Sequence, residues 1–374
     1  MMNILFVDDE PAILRAFKRI LRHMLKQHQF EFFDDPLKAI ERLKCNQYHL
    51  VVSDMKMPGK DGCYVLSEAK KHSPGALRVI LSGYSDEEQA VKAANHAHLF
   101  FAKPFESEVL IELIQRVEGL NKMALNEELL QTLGNLKALP PAPRLYRSLT
   151  QTLQAENEYL SAKDICNVLQ QDMALVSKIL QLTNSAFLGV SQPINDLERA
   201  VTLLGIKTIK GLILHYELIG KLQDQPEPQP WHEQLYKDSL YIAHQAKEIA
   251  RQSTQSKAIQ ESSFLAGLLH DIGRLVLAEQ VEEGSHRDEL FAEQSGRLLC
   301  EQEEQLFGTH HGWVGAYLLK LWGFSDVIVE AVALHHYPSQ STDMEFTPLT
   351  AVHVAKKEID EHYLERIGYQ PIND

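Results

Sequence analysis

Ile4-Leu5-Phe6-Val7 followed by Asp8-Asp9, with Leu50-Val51-Val52-Ser53 followed by Asp54, is the stretch that decides the fold. Each acidic group closes a short apolar run of the kind buried on both faces of a parallel sheet. Open α/β sheets place their binding sites at these strand ends. Ser82 follows a third run, Val79-Ile80-Leu81, and Lys103-Pro104 follows a fourth, Leu99-Phe100-Phe101. One sheet edge is therefore expected to gather three carboxylates, a hydroxyl and an ammonium.

Neighbouring carboxylates raise one another's pKa unless a cation lies among them, and an all-oxygen set suits Mg²⁺. A carboxylate beside such a cation can attack a phosphoryl group, with an ammonium and a hydroxyl to stabilise the transferred oxygens. The bland alternative is that these acids only cap helices and solvate loops. Helical periodicity over 12–27, 36–44, 64–72 and 87–95 alternates with the strands, which predicts a doubly wound α/β domain with a parallel five-stranded sheet.

In order and spacing, VDDE at 7–10, SDMKMPGKDG at 53–62, LSGYS at 81–85 and KPF at 103–105 resemble the response-regulator receiver family over about residues 1–120. The resemblance implies Asp54 as phosphoacceptor. It implies Asp8, Asp9, Asp54 and the Lys56 backbone carbonyl as Mg²⁺ ligands, Ser82 and Lys103 as the groups that sense the phosphoryl, and Phe100 as the switching aromatic. It also implies a sensor histidine kinase as partner.

The last receiver helix starts near Glu106, and Leu110, Leu113, Val117, Leu120 and Ala124 recur at alternating steps of three and four. Such a stripe serves either as a homodimer seam over 106–135 or as one face of a helix covering its own sheet. Leu139-Pro140-Pro141-Ala142-Pro143 then breaks the helix, since proline lacks the amide hydrogen and clashes with the preceding turn. The expected organisation is a receiver domain at 1–122, an extended helix and linker at 106–138, a helical lobe at 139–222, a second at 231–356 and a tail at 357–374. The first lobe carries helical spacing over 144–155, 161–170, 172–183, 196–204 and 206–221, with Ser161 and Asp196 as N-caps. The proline-rich stretch 223–230 separates the two lobes.

Histidines mark the second lobe: His244, His270-Asp271, His310-His311 and His335-His336. With 17 histidines in 374 positions, composition alone gives about 0.7 adjacent pairs, so context carries the signal. That context is LLHDIGRL at 268–275, WVGAYLLKLWGF at 313–324 and AVALHHYP at 331–338. With LPPAP at 139–143, QQDMALVSKILQLTNSAFLG at 170–189 and AVTLLGIKTIKGL at 200–212, it resembles the HDOD family, all-α relatives of HD phosphohydrolases, over about residues 130–340. Asn184 and Ser185, within one of these blocks, read as polar groups fixing a helix end.

The resemblance places His244, His270, Asp271, His311, His335 and His336 at positions that hold Fe, Mn or Zn in catalytic HD enzymes. It also shows a departure, because Lys356 stands where a final aspartate is usual, and a protonated lysine has no lone pair for a metal. The Gly-Tyr-Pro motif of cyclic-dinucleotide phosphodiesterases is likewise missing, since His336-Tyr337-Pro338 lacks the glycine. The expected protein is a two-component response regulator whose HDOD region acts through contacts with a downstream signalling protein. A metal-dependent phosphodiesterase acting on a cyclic dinucleotide is the alternative, and a nucleotide-binding sensor without turnover is a third.

A formal charge of −14 disfavours general attraction to nucleic-acid phosphates. Cys45, Cys63, Cys166 and Cys300 form no CxxC and read as reduced thiols. The first apolar run meets Asp8 too soon for an export signal, and no stretch reaches the roughly 18 to 20 apolar residues of a membrane span. A soluble cytoplasmic location without membrane contact is expected.

Overall fold

The computed structural model describes residues 1–24, 26–83, 96–103, 107–122, 143–155, 161–183, 194, 196–220, 230–278, 280–281, 296–343 and 345–366. The helix expected over 87–95, most of the proline-rich break at 139–143, Asn184-Ser185 and the end of the tail lie outside them. The chain divides into two compact units, the first comprising Met1–Pro141, Glu304–Thr309 and Tyr317–Gly323 and the second Ala142–Glu303, His310–Ala316 and Phe324–Asp374.

The first unit holds the expected sheet. Its strands are β1 (Asn3–Val7), β2 (Gln29–Phe33), β3 (Leu50–Asp54), β4 (Leu77–Gly83) and β5 (Leu99–Lys103), in the order β2-β1-β3-β4-β5. All pairings are parallel, with Val7 opposite Ser53 and Ser53 opposite Ile80. β3 is buried along its whole length, as its uninterrupted apolar run requires. Leu5, Val51, Val65, Leu66 and Ile80 form part of the core between the sheet and its helices. Each such side chain contributes at most about 1.5–3 kcal/mol by burial.

The helices begin where the sequence supplies caps. Pro11 opens α1 (Pro11–Ile20), which ends earlier than the expected residue 27 and tightens into a 3₁₀ turn at Leu21–His23. Asp35 accepts from the Leu37 N–H ahead of α2 (Pro36–Cys45), and Asp61 accepts from the Tyr64 N–H ahead of α3 (Gly62–His72). α4 (Ser107–Lys122) is described as far as Lys122. Its Leu110, Leu113 and Val117 are buried within the single chain, so this part of the stripe is already covered and is not an open dimer seam. Ala124 and the rest of the proposed extension lie outside the described residues.

The second unit is helical throughout its described residues, as expected. α5 (Arg144–Ala155), α6 (Ala162–Leu169), α7 (Met173–Thr183) and α8 (Leu197–His215) form its first part. Ser161 and Asp164 form a reciprocal capping box, and Asp196 caps α8 by accepting from the Arg199 N–H. The break expected between residues 204 and 206 is real: α8 is kinked at Gly205, whose φ of +74° and ψ of 158° only glycine adopts readily. A Cβ there would touch nothing within 4 Å, so Gly205→Ala tests backbone strain alone. The expected cost is about 1–3 kcal/mol, read as a lower denaturant midpoint with unchanged slope.

The later helices are α9 (Pro230–Ser253), α10 (Lys257–Leu269), α11 (Ile272–Ala278), α12 (Gly296–Phe307), α13 (His311–Leu321), α14 (Asp326–Leu334) and α15 (Pro348–Arg366), of which α12 from Glu304 and α13 from Tyr317 count with the first unit. α9, α10 and α15 pack against one another, and α14 packs on α10 and α15. Gly273 permits a very close approach, since a Cβ on it would lie 2.0 Å from the His311 carbonyl oxygen and 2.7 Å from the Gly315 nitrogen. The four cysteines are all free thiols.

Candidate functional sites

Parallel pairing puts the ends of β1, β3 and β5 on one edge, and with them Asp8, Asp54 and Lys103. Asp8 is fully buried; its backbone N–H donates to Phe33 O, and its Oδ1 accepts from the Glu10 N–H at 3.0 Å. Asp54 Oδ2 accepts from the Lys56 N–H at 2.8 Å. The Lys103 ammonium bridges the two acids, at 2.7 Å from Asp8 Oδ2 and in a close ion pair with Asp54 Oδ1. Asp9 is half-buried beside Asp8.

Burial raises the Asp8 pKa, with Lys103 partly offsetting that effect. Burial pulls Lys103 down, but its hydrogen bonds to Asp54 and Asp8 outweigh this and leave it raised. Gly62 shapes the loop after Asp54, since a Cβ there would lie 2.1 Å from the Asp54 carbonyl oxygen. Ser82 and Phe100 lie on β4 and β5, but their side chains fall outside the described residues.

The residue types fit Mg²⁺. The donors are all oxygens, and Asp8 and Asp54 share a single ammonium with Asp9 next to Asp8 in the chain, so the cluster retains negative charge that a hard divalent ion would balance.

A second constellation lies in the helical unit. His270 and Asp271 end α10, His311 opens α13, and His335-His336 follow α14; all are buried. Ligand atoms of Asp271, His311, His335 and His336 lie within 4.8 Å of one another. The Nε2 atoms of His270, His311 and His335 lie 3.3, 3.3 and 3.5 Å from Asp271 Oδ1, which has no hydrogen-bond partner of normal geometry. His244, half-buried on α9, and His270 are not among the four within 4.8 Å of one another. His310 accepts from the Gly312 N–H with Nδ1.

The outer contacts fix the tautomers. His270 Nδ1 is 2.7 Å from Gly267 O, and His335 Nδ1 is 2.8 Å from Val332 O. Carbonyl oxygens only accept, so both Nδ1 atoms carry hydrogens and both Nε2 atoms face the cluster. His311 Nδ1 likewise donates to Glu303 Oε2 at 2.7 Å, and the same oxygen accepts from the His311 N–H at 2.8 Å.

Glu303 went unnoticed in the sequence because nothing in Cys300-Glu301-Gln302-Glu303-Glu304 sets it apart from its exposed neighbours. Only the helical spacing from Cys300 hints that both face inward, and both are fully buried. Lys356, as expected, stands at the site, with Nζ 3.3 Å from both Asp271 Oδ2 and His270 Nε2. Arg274 Nη1 is also 3.3 Å from Asp271 Oδ2.

Burial raises the Asp271 carboxyl, but His270, Lys356 and His311 outweigh that and hold it well below its usual range. Burial pulls His311 down, yet Glu303 and Asp271 overcome it and hold it up at about 9, while burial pushes His335 down to about 3. In the ion-free protein a proton on His311 thus supplies positive charge at the centre.

The stability consequences have opposite signs. For His335 the unfolded chain binds the extra proton, so stability present above about 6.5 is lost as pH falls toward 3. For His311 the folded chain binds it, so stability present below about 6.5 is lost as pH rises through about 9. The urea midpoint of the metal-stripped chain should peak near neutrality and fall on both sides. A flat profile from acid to alkaline pH would refute the two opposed titrations.

Comparison with known proteins gives two family matches, the HDOD domain at residues 139–338 and the response regulator receiver domain at residues 4–115. An uncharacterized protein of Treponema pallidum is 27% identical over 220 residues, covering 55% of this chain and 40% of that one. The response regulator protein FleR of Pseudomonas aeruginosa is 30% identical over 143 residues, covering 38% and 28%. The chain thus spans less than half the length of either relative. A crystal structure of an HDOD domain protein from Geobacter sulfurreducens is 22% identical with a TM-score of 0.47, covering 71% of this chain and 83% of that one. Among the described residues no helix is long and apolar enough to cross a membrane.

Proposed function

Because the chain belongs to the HDOD domain family and carries a response regulator receiver domain ahead of that region, we propose that it is a signalling response regulator switched by phosphorylation of Asp54. A sensor histidine kinase is the phosphoryl donor, and the HDOD region is the output, acting through contacts with a downstream protein. The observation that carries this reading is the Lys103 ammonium bridging Asp8 and Asp54 across three strand ends.

Asp54 offers a carboxylate oxygen as nucleophile, and the Lys56 N–H holds the other oxygen in place. Lys103 is positioned to exchange its ion pair with the bare carboxylate for the transferred phosphoryl oxygens. Asp8, Asp9, Asp54 and the Lys56 carbonyl would hold Mg²⁺, which neutralises charge on the phosphoryl oxygens when bound. Ser82 and Phe100 are the remaining switch candidates, as the two-state response of such a domain requires a small differential interaction on phosphorylation.

The test is incubation of the full chain with acetyl phosphate and Mg²⁺, read by intact mass. Gain of one phosphoryl group, labile to hydroxylamine as an acyl phosphate is, is expected. No gain with several small donors, together with none from a panel of kinases, would overturn the reading. The phosphodiesterase alternative draws no support from a site in which an ammonium already contacts Asp271.

A further inference from the structure

The end of α13 lies within the first unit, where a residue 205 positions earlier in the chain reaches it. Tyr317, Leu318, Leu319, Leu321 and Trp322 are all buried there. A helix leaves its last four carbonyls without intrahelical partners. Gly323, at a φ of +82°, turns the chain and returns its N–H to Lys320 O at 3.1 Å, while the Trp322 N–H goes to Leu318 O at 2.9 Å. Leu321 O accepts instead from Arg116 Nη1 of α4, at 3.4 Å. The Arg116 guanidinium also donates through Nη2 to Glu112, one turn back on α4, at 3.2 Å. It thus brings a cation to the negative end of the α13 dipole. Glycine clears the approach on both sides: a Cβ on Gly323 would lie 2.9 Å from Arg116 Nη2, and one on Gly119 would lie 2.6 Å from Lys320 Cε. Further back along α13, the Tyr317 hydroxyl lies in the field of the buried Arg78 guanidinium at the start of β4.

We propose that the part of α4 around Arg116 and Gly119 is a docking surface for the 317–323 segment of this same chain, with Arg116 as the cap that grips it, and that phosphorylation of Asp54 loosens the grip. The occupant is this segment rather than a second copy, because the groups that meet Arg116 and Gly119 are already its Leu321 carbonyl and Lys320 stem. The link to Asp54 rests on the receiver reading. β5 ends at Lys103, and α4 starts four residues later at Ser107, so a lysine that changes partner acts on the strand that leads into α4. The grip coexists with Lys103 bound to the bare Asp54 carboxylate, and a phosphoryl group that draws Lys103 elsewhere favours the other state. The opposite end of α13 is His311, so release frees a helix that carries one member of the histidine cluster.

The experiment is amide hydrogen exchange of the full chain, read by mass over residues 318–323. Arg116→Ala should speed exchange there by about 3–10-fold, through loss of the cation at the helix end. Gly119→Phe should do the same by occupying the ground on which Lys320 lies, and Arg116→Lys, which keeps the cation, should restore most of the protection. Acetyl phosphate with Mg²⁺ should speed the same amides in the parent, in step with phosphoryl uptake, and should add little in Arg116→Ala. Melting establishes that each variant folds. Unchanged exchange over 318–323 in folded Arg116→Ala and Gly119→Phe overturns the docking surface. A parent that takes up a phosphoryl group without faster exchange there overturns the link to Asp54 alone. A parent that takes up none from any donor overturns the receiver reading and the link with it, while the variants still decide the docking surface.

Discussion

Supplied with acetyl phosphate and Mg²⁺, Asp54→Asn takes up no phosphoryl group, whereas the parent chain takes up one. The substitution keeps an oxygen able to accept from the Lys56 N–H, whose bond to Asp54 is 2.8 Å. It removes the nucleophile and sets an amide where the Lys103 ammonium now meets a carboxylate oxygen. The effect on folding should be small, within about 1–3 kcal/mol, because Lys103 retains Asp8 at 2.7 Å. Phosphoryl uptake should therefore vanish from a protein that still melts cooperatively. A phosphoryl group found on Asp54→Asn would transfer the acceptor role to Asp8 or Asp9.

Gly273→Ala should be the most damaging single methyl in the helical unit. The added carbon would stand 2.0 Å from the His311 carbonyl oxygen and 2.7 Å from the Gly315 nitrogen, both backbone atoms that no rotamer change can move. Overpacking of a flexible core costs about 1–3 kcal/mol, and a rigid backbone collision exceeds that range. The collision also displaces His311, so the histidine cluster should come apart with the packing. Two units need not unfold in one step, so calorimetry is the useful measurement. The transition of the helical unit should move down or disappear while that of the sheet unit stays. An unshifted thermogram would show that α11 and α13 can separate at little cost.

The sheet was legible because strand ends and charged residues coincide in the sequence: an apolar run that stops at Asp8 or Asp54 announces both a buried strand and its outward edge. Caps were legible for the same local reason, as Ser161 and Asp196 show. What could not be read was the choice among chemically equal neighbours. Glu303 is one of several polar residues in its stretch, and only tertiary packing buries it behind His311. Lys356 was legible because it breaks a pattern. Its partners were not, because a distance of 3.3 Å to both His270 and Asp271 depends on how α15 lies against α10.

The bridging lysine also imposes an order on biosynthesis. Asp8 and Lys103 lie 95 positions apart in the chain, and contacts of such sequence separation form late. On the ribosome the N-terminal strands emerge first, so the two acids are present before the cation that bridges them. Until β5 docks, their mutual repulsion works against closing the edge that they share. A nascent receiver truncated before Lys103 should therefore be more tolerant of acid, and more dependent on added Mg²⁺, than the completed domain.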